Sequence, residues 1–112
     1  MTYEPYSIVV LPFPFTDCST TKKRPALLLS STDHQIQTEH ATVLMITSAK
    51  NSSWKSDHSI ENLETTGLKA ASTIRQKIFT IDSRLIIKSV GKLAEIDKKE
   101  IVKKLKQHLI LN

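Results

Sequence analysis

Apolar residues in this chain come in short runs, and only the stretch from Asp97 onward repeats them at a helical period. Ser7 to Phe15 (SIVVLPFPF), Ala26 to Ser31 (ALLLSS) and Ala41 to Ser48 (ATVLMITS) are runs rich in β-branched, aliphatic and aromatic residues. Runs of this length bounded by polar or proline-bearing segments read as strands. Pro12 and Pro14 cannot donate to a ladder, so the first run belongs at a sheet edge or a strand end. Ser72 to Ile81 alternates with period two. Ile74, Gln76, Ile78 and Thr80 fall on one face, and Arg75, Lys77, Phe79 and Ile81 on the other. Arg84 to Leu93 is a further apolar segment in which Gly91 marks a turn or bulge. Asp97 followed by Glu100 reads as a capping box, and Ile101, Val102, Leu105 and Leu109 form the apolar stripe of a closing helix. Short strands closed by one amphipathic helix predict an α+β fold: a small bent antiparallel sheet or barrel with helical cover.

The connections are equally readable. Thr16 to Lys23 (TDCSTTKK) is a polar loop, and Arg24-Pro25 opens the second strand. Asp33 to His40 forms one turn of helix or a loop. Asn51 to Gly67 is mostly loop, with one short strand near His58 to Ile60. Ile8, Val10, Leu27, Leu29, Leu44 and Ile46 are the expected core. At 112 residues the chain makes a single domain spanning 1–112.

Composition narrows the class. No apolar run approaches the ~20 residues of a membrane span, so no membrane partner is expected. MTYEPYSIVV has neither a basic n-region nor a cleavage site, which predicts a soluble cytoplasmic protein. The single cysteine, Cys18, excludes an intramolecular disulfide and a Cys-rich zinc site. His34, His40, His58 and His108 lack the spacing of metal ligands, so no metal is expected. A net charge of +5 suggests an anionic partner, with nucleic acid the commonest. Five lysines and one glutamate between Lys98 and Lys106 supply four of those charges, and a lysine-rich helix is often only a solvated face.

Arginine, lysine and hydroxyl residues at strand ends remain. Lys22, Lys23 and Arg24 close the first loop, Thr47 and Ser48 end the third strand, and Arg75 and Lys77 sit on the fifth. Guanidinium groups match phosphate bidentately and hydroxyls add short donors. Cleaving RNA through its own 2′-OH requires in-line positioning, charge stabilisation and proton transfer. Trp54 and Phe13 could stack bases or pack in a core or dimer contact. The residue types alone leave two readings open, a phosphodiester site or ordinary solvated strand ends.

The same residues carry a family likeness. VLPFPFTDCSTTKKRPALLLSS resembles the opening of MazF/PemK-type toxins, the ribonuclease components of type II toxin–antitoxin modules. MITSA, from Met45 to Ala49, is similar to that family's hydrophobic strand ending in Thr-Ser or Thr-Ala. LKAASTIRQKIFTIDSRLIIKSVGKL resembles its third block, and the Asp-x-x-x-Ile-x-x-x-Leu helix its close. The resemblance implies an SH3-like barrel of the MazF/PemK/CcdB type, working as a homodimer with a cognate antitoxin. It implies sequence-specific, metal-independent cleavage of single-stranded RNA, without a cofactor, leaving a cyclic phosphate and a 5′-hydroxyl. Arg24 matches the arginine that acts on the scissile phosphate, and Thr47 the threonine that hydrogen-bonds it. Lys22, Lys23, Ser48, Arg75, Gln76 and Lys77 fall at positions expected to contact RNA. Gln76 stands where many relatives carry an aspartate, and no histidine lies in the Thr16 to Lys23 loop. A degenerate RNA- or antitoxin-binding module, and a poison resembling the gyrase-inhibiting toxins of the same fold, are the alternatives.

Overall fold

Alternating apolar residues build one curled antiparallel sheet, and a computed structural model describes it over residues 2–13, 22–49 and 53–111, with only the backbone at 13. The strands are β1 (Ser7–Phe13), β2 (Lys22–Leu28), β3 (His40–Ser48), β4 (His58–Ser59), β5 (Ser72–Asp82) and β6 (Lys88–Lys92). They lie in the order β4-β5-β3-β2-β1-β6 and form a half-barrel. Helix α1 (Thr32–Thr38) links β2 to β3, and helix α2 (Glu95–Leu109) closes the chain. Short 3-10 turns occupy Glu64–Thr66 and Ser83–Leu85. None of the described helices is long and apolar enough to cross a membrane.

The sheet buries both faces because neighbouring residues on a strand point opposite ways. Val9, Leu11, Ala26, Leu28, Ala41 and Val43 form one cluster, with Tyr3 and Phe79 packed against it. Ile8, Leu27, Leu44, Ile46 and Ile74 form the other, covered by Ile101 and Leu105 of α2. Val10 and Leu29, expected in the core, are only partly buried.

Three expectations need correction. Lys22, Lys23 and Arg24 lie on β2 and not in the preceding loop, because they pair with Phe13, Pro12 and Leu11 of β1. Residues 14–21, which hold Pro14, Phe15, Asp17, Cys18 and most of the expected loop, lie outside the described residues. The period-two pattern of β5 breaks at a bulge: Leu44 pairs with Ile78, but the next residue, Met45, pairs with Arg75. Gln76 and Lys77 are the extra residues of this bulge, and adjacent Arg75 and Gln76 are both buried. A second irregularity sits where Gly91 is expected to bend the chain: Ile8 pairs with Gly91 while Val9 pairs with Ser89.

Asp97 is the third. It does not cap α2; Ala94 is the N-cap and the helix starts at Glu95. The Asp97 carboxylate is fully buried in the first turn, where it accepts N–H bonds from Glu61 at 2.8 Å and Asn62 at 3.0 Å. His58 Nε2 lies 2.7 Å from the same group. Burial pushes this carboxyl up, but the two backbone donors and His58 outweigh it and hold it below its ordinary value. A residue that sequence reads as a local cap thus ties α2 to β4 and the loop after it.

Candidate active site

A fork between β2 and β3 positions the strongest candidates. Leu29 N–H donates to Thr42 O across these strands at 2.9 Å, and Leu27 pairs with Leu44. Every second residue of β2 faces the same neighbour, so Pro25 comes next in that series and brings no N–H. The ladder between the two strands ends one residue before it, at Ala26 and Met45. Beyond that point β2 stays bonded to β1 through Lys22, and β3 stays bonded to β5 through Ser48. Each strand keeps its outer partner while the two part from each other.

Continued past the break, the register would set Arg24 opposite Thr47. The two line a single cavity of about 260 Å³ together with Pro25, Ile46, Ser48, Ala70, Ala71 and Ser72. Thr47 is buried and Arg24 half-buried. Arg24 Nε is buried with no hydrogen-bond partner among the described residues. Such an orphaned donor is an exception in folded proteins and suits a group that waits for an anion. Ala49 N–H donates to Ala71 O at 3.3 Å across the end of the fork, and Ser72 Oγ donates to Ala70 O at 2.8 Å.

Sequence reasoning missed Ser72. The signal was present as a mirrored pair of hydroxyl doublets: Thr47 pairs with Thr73 and Ser48 with Ser72 across β3 and β5. Only the register brings the second doublet to the first.

The remaining candidates are placed elsewhere. Lys22 and Lys23 are exposed on β2, and Lys23 lines a second cleft that also meets Arg24. Arg75 is buried on Asp57, with Nε 3.1 Å from Oδ1 and Nη2 2.9 Å from Oδ2, and its guanidinium stands 5.1 Å from the Trp54 ring centre. Burial raises the Asp57 carboxyl, but the Arg75 fork, the Trp54 N–H and the charges of Arg75 and Lys104 more than offset it, so the net direction is down. Gln76 is buried and its Oε1 lies 3.1 Å from His108 Nδ1 of α2. Lys77 is exposed over Phe79. The structure brings Arg24, Thr47 and Ser48 together, and does not bring Arg75, Gln76 or Lys77 into their cavity. No carboxylate or imidazole among the described residues lines it. Among the described residues, no group of three or more His, Cys, Asp or Glu side chains is placed to hold a metal ion.

The fold has known counterparts. A MazE-MazF structure from Deinococcus radiodurans superposes with a TM-score of 0.77 at 17% identity, covering 100% of this chain and 99% of that one. An endoribonuclease in complex with its cognate antitoxin, from a mycobacterial species, gives a TM-score of 0.77 at 11% identity over 99% and 98% of the chains. The Mycobacterium tuberculosis toxin MazF-mt6 gives 0.74 at 17% identity over 95% and 98%. At such identities these likenesses establish the half-barrel fold. No curated protein sequence matches the chain. Residues 4–109 match the family described as PemK-like, MazF-like toxin of type II toxin-antitoxin system, and the chain belongs to that family.

Proposed function

We propose that this toxin is a metal-independent, sequence-specific endoribonuclease that cuts single-stranded RNA, mRNA included, at the fork between β2 and β3. The observation that carries the reading is the shared cavity of Arg24 and Thr47, with the Arg24 Nε–H buried and unpaired among the described residues. A scissile phosphate seated there meets one cation and a rim of hydroxyls, a donor set matched to a phosphodiester. The ribose O2′ attacks phosphorus in line, its proton passing to solvent. The P–O5′ bond breaks, O5′ leaves as a 5′-hydroxyl after taking a proton, and a cyclic phosphate remains. Arg24 bears the charge that grows on the non-bridging oxygens, and Thr47 with Ser48 fixes their orientation. A positioned general base often contributes about 10²–10⁴ in rate, and none of the described residues lining the cavity is a carboxylate or imidazole, so cleavage by these residues alone is expected to be slow.

Arg75 and Gln76 serve better here as supports than as RNA contacts, since each is buried against a partner of its own. Lys22, Lys23 and Lys77 remain exposed and suited to the RNA backbone. The partners are single-stranded RNA, a second copy of the chain and an antitoxin protein; similar structures hold a MazF chain with MazE and an endoribonuclease with its cognate antitoxin. Cytoplasmic action on mRNA, inhibiting translation and growth, follows from that reading.

One observation favours RNA binding without cleavage: the cavity's described lining offers no carboxylate. Incubating the purified protein with a long RNA in EDTA decides between the two. Discrete cuts ending in cyclic phosphates are expected, and Arg24→Ala should abolish them while its circular dichroism stays native, because Arg24 is half-buried on a strand and fills no core. Full activity in a folded Arg24→Ala protein would overturn the assignment.

A further inference from the structure

Arg24 is a wall between two cavities, and the second has a different chemistry. On the side away from Thr47 it faces a cleft of about 410 Å³, within the size range of small-ligand sites. Val10, Leu68 and Val90 give this cleft an aliphatic lining. Lys23, Lys69 and Lys88 join Arg24 around it, and no carboxylate among the described residues lines it. None of these three lysines forms a salt bridge among the described residues. Four cations beside an apolar surface with no compensating acid call for a ligand that is anionic at one end and apolar on its faces.

The cleft is also built to a fixed shape. The chain has only two glycines, and both serve one joint. A Cβ on Gly67 would stand 2.2 Å from Val90 O, and one on Gly91 would stand 2.4 Å from Thr66 C and O. Gly67 further takes φ +74°, which side chains of L-residues avoid. These two absences of a side chain let the turn at Glu64–Thr66 sit directly on β6. That contact holds Gly67, Leu68 and Lys69 opposite Lys88 and Val90 as facing walls of the cleft.

We propose that this cleft is a nucleotide subsite, holding the RNA residue next to the scissile phosphate with its base against the aliphatic wall and its own phosphate on Lys69 and Lys88. The inference rests on the nuclease reading above and adds to it the place where a flanking nucleotide is gripped. Continuity decides for a nucleotide over an acidic peptide. Arg24 and Pro25 line both cavities, so a strand with its scissile phosphate in the fork has the cleft as its immediate neighbour.

The test uses a 2′-O-methyl oligonucleotide, which binds but cannot be cut, followed by fluorescence anisotropy across a salt series. Lys69 and Lys88 are both exposed, so Lys69→Ala/Lys88→Ala leaves the core untouched. The double variant should bind at least tenfold more weakly. The slope of log K against log salt should become shallower by roughly 0.7–1.4, the loss of one or two single-strand phosphate contacts. Walking an abasic residue along the strand should reveal one position, adjacent to the cut, where removing the base weakens wild-type binding. Unchanged affinity and slope in the double variant overturn the subsite, and if the wild type still cuts unmodified RNA the nuclease reading stands without it. A wild type that neither binds the oligonucleotide nor cuts RNA removes both. An acidic apolar peptide that depends on the two lysines, where the oligonucleotide does not, assigns the cleft to protein and overturns the proposal.

Discussion

Pro25 decides where the site opens. Its neighbours in the series, Leu27 and Leu29, face β3, and Leu29 donates to Thr42 O at 2.9 Å. At position 25 the donor is missing, and the strands part within one residue of it. Pro25→Ala returns an N–H aimed at β3, and the ladder can then run on toward Arg24 and Thr47. The expected outcome is a fork that narrows. Cleavage should fall at least tenfold, while the melting temperature moves only a few degrees, since a proline replaced at a compatible site costs about 0.4–1 kcal/mol through the unfolded chain. Hydrogen exchange supplies the direct readout, because the amide at position 25 should be protected if it joins the ladder. A variant whose new amide exchanges freely and whose activity is unchanged would show that the fork does not depend on this residue. The Arg24-Pro25 step was plain in sequence as a strand opening. That proline ends pairing on one side only became visible with the register.

Helix α2 is held less by its apolar stripe than by a buried polar tie. Ile101 is fully buried and Leu105 partly so, but Leu109 remains 45% exposed. Asp97 compensates by accepting from Glu61 and Asn62 and meeting His58, and Lys104 Nζ donates to Asp57 O at 2.7 Å. The folded-state pKa of Asp97 lies below its unfolded value of about 3.9. Its contribution is therefore fully present above pH ~4 and is lost as pH falls through the folded value. Asp97→Asn should cost about 1–3 kcal/mol at pH 7, because a neutral amide cannot satisfy His58 and both backbone donors as well. Urea unfolding from pH 7 to pH 3 should show the two proteins converging toward the acid end, where the wild type has lost its advantage. Asp57, also held below its ordinary value, keeps some acid sensitivity in the variant. Parallel curves at every pH would remove Asp97 from this role. The helix itself was legible from Ile101, Leu105 and Leu109 at a spacing of four. The tie was not, because Asp97 and His58 are 39 residues apart and a carboxylate followed by glutamate three residues on looks the same whether it caps a helix or anchors one. Arg75 and Gln76 posed the same difficulty on β5: alternation predicts opposite faces, but shows neither that both faces are covered there nor that the register slips beside them.

Across the whole molecule, charge separates into groups with different work. The Lys98 to Lys106 stretch carries a net +4, which Glu95 and Asp97 in the first turn cut to +2 for α2 as a whole, and two of its five lysines are engaged locally. Lys98 lies 4.8 Å from the Tyr6 ring centre, and Lys104 bonds to the Asp57 carbonyl. Lys99, Lys103 and Lys106 are exposed and form no salt bridge among the described residues, so their field extends into solvent. None of them lines the fork or the cleft behind Arg24. On the nuclease reading they raise the encounter rate with RNA over about a Debye length, roughly 10 Å at 0.1 M salt, without touching the reacting phosphate. Replacing all three with glutamine should lower kcat/KM several-fold at low ionic strength and leave kcat at saturating RNA within about twofold of wild type. The deficit in kcat/KM should close as salt rises toward 0.5 M, where the Debye length is a few ångströms and the wild type loses the same attraction. Arg24→Ala behaves oppositely, since its loss falls on kcat and does not recover in salt. Steady-state cleavage of a fluorogenic RNA, run for both variants at three ionic strengths, distinguishes a charge that gathers the substrate from one that acts on it. A triple-glutamine protein with reduced kcat at saturation would place α2 within reach of the bound strand and refute this division of labour.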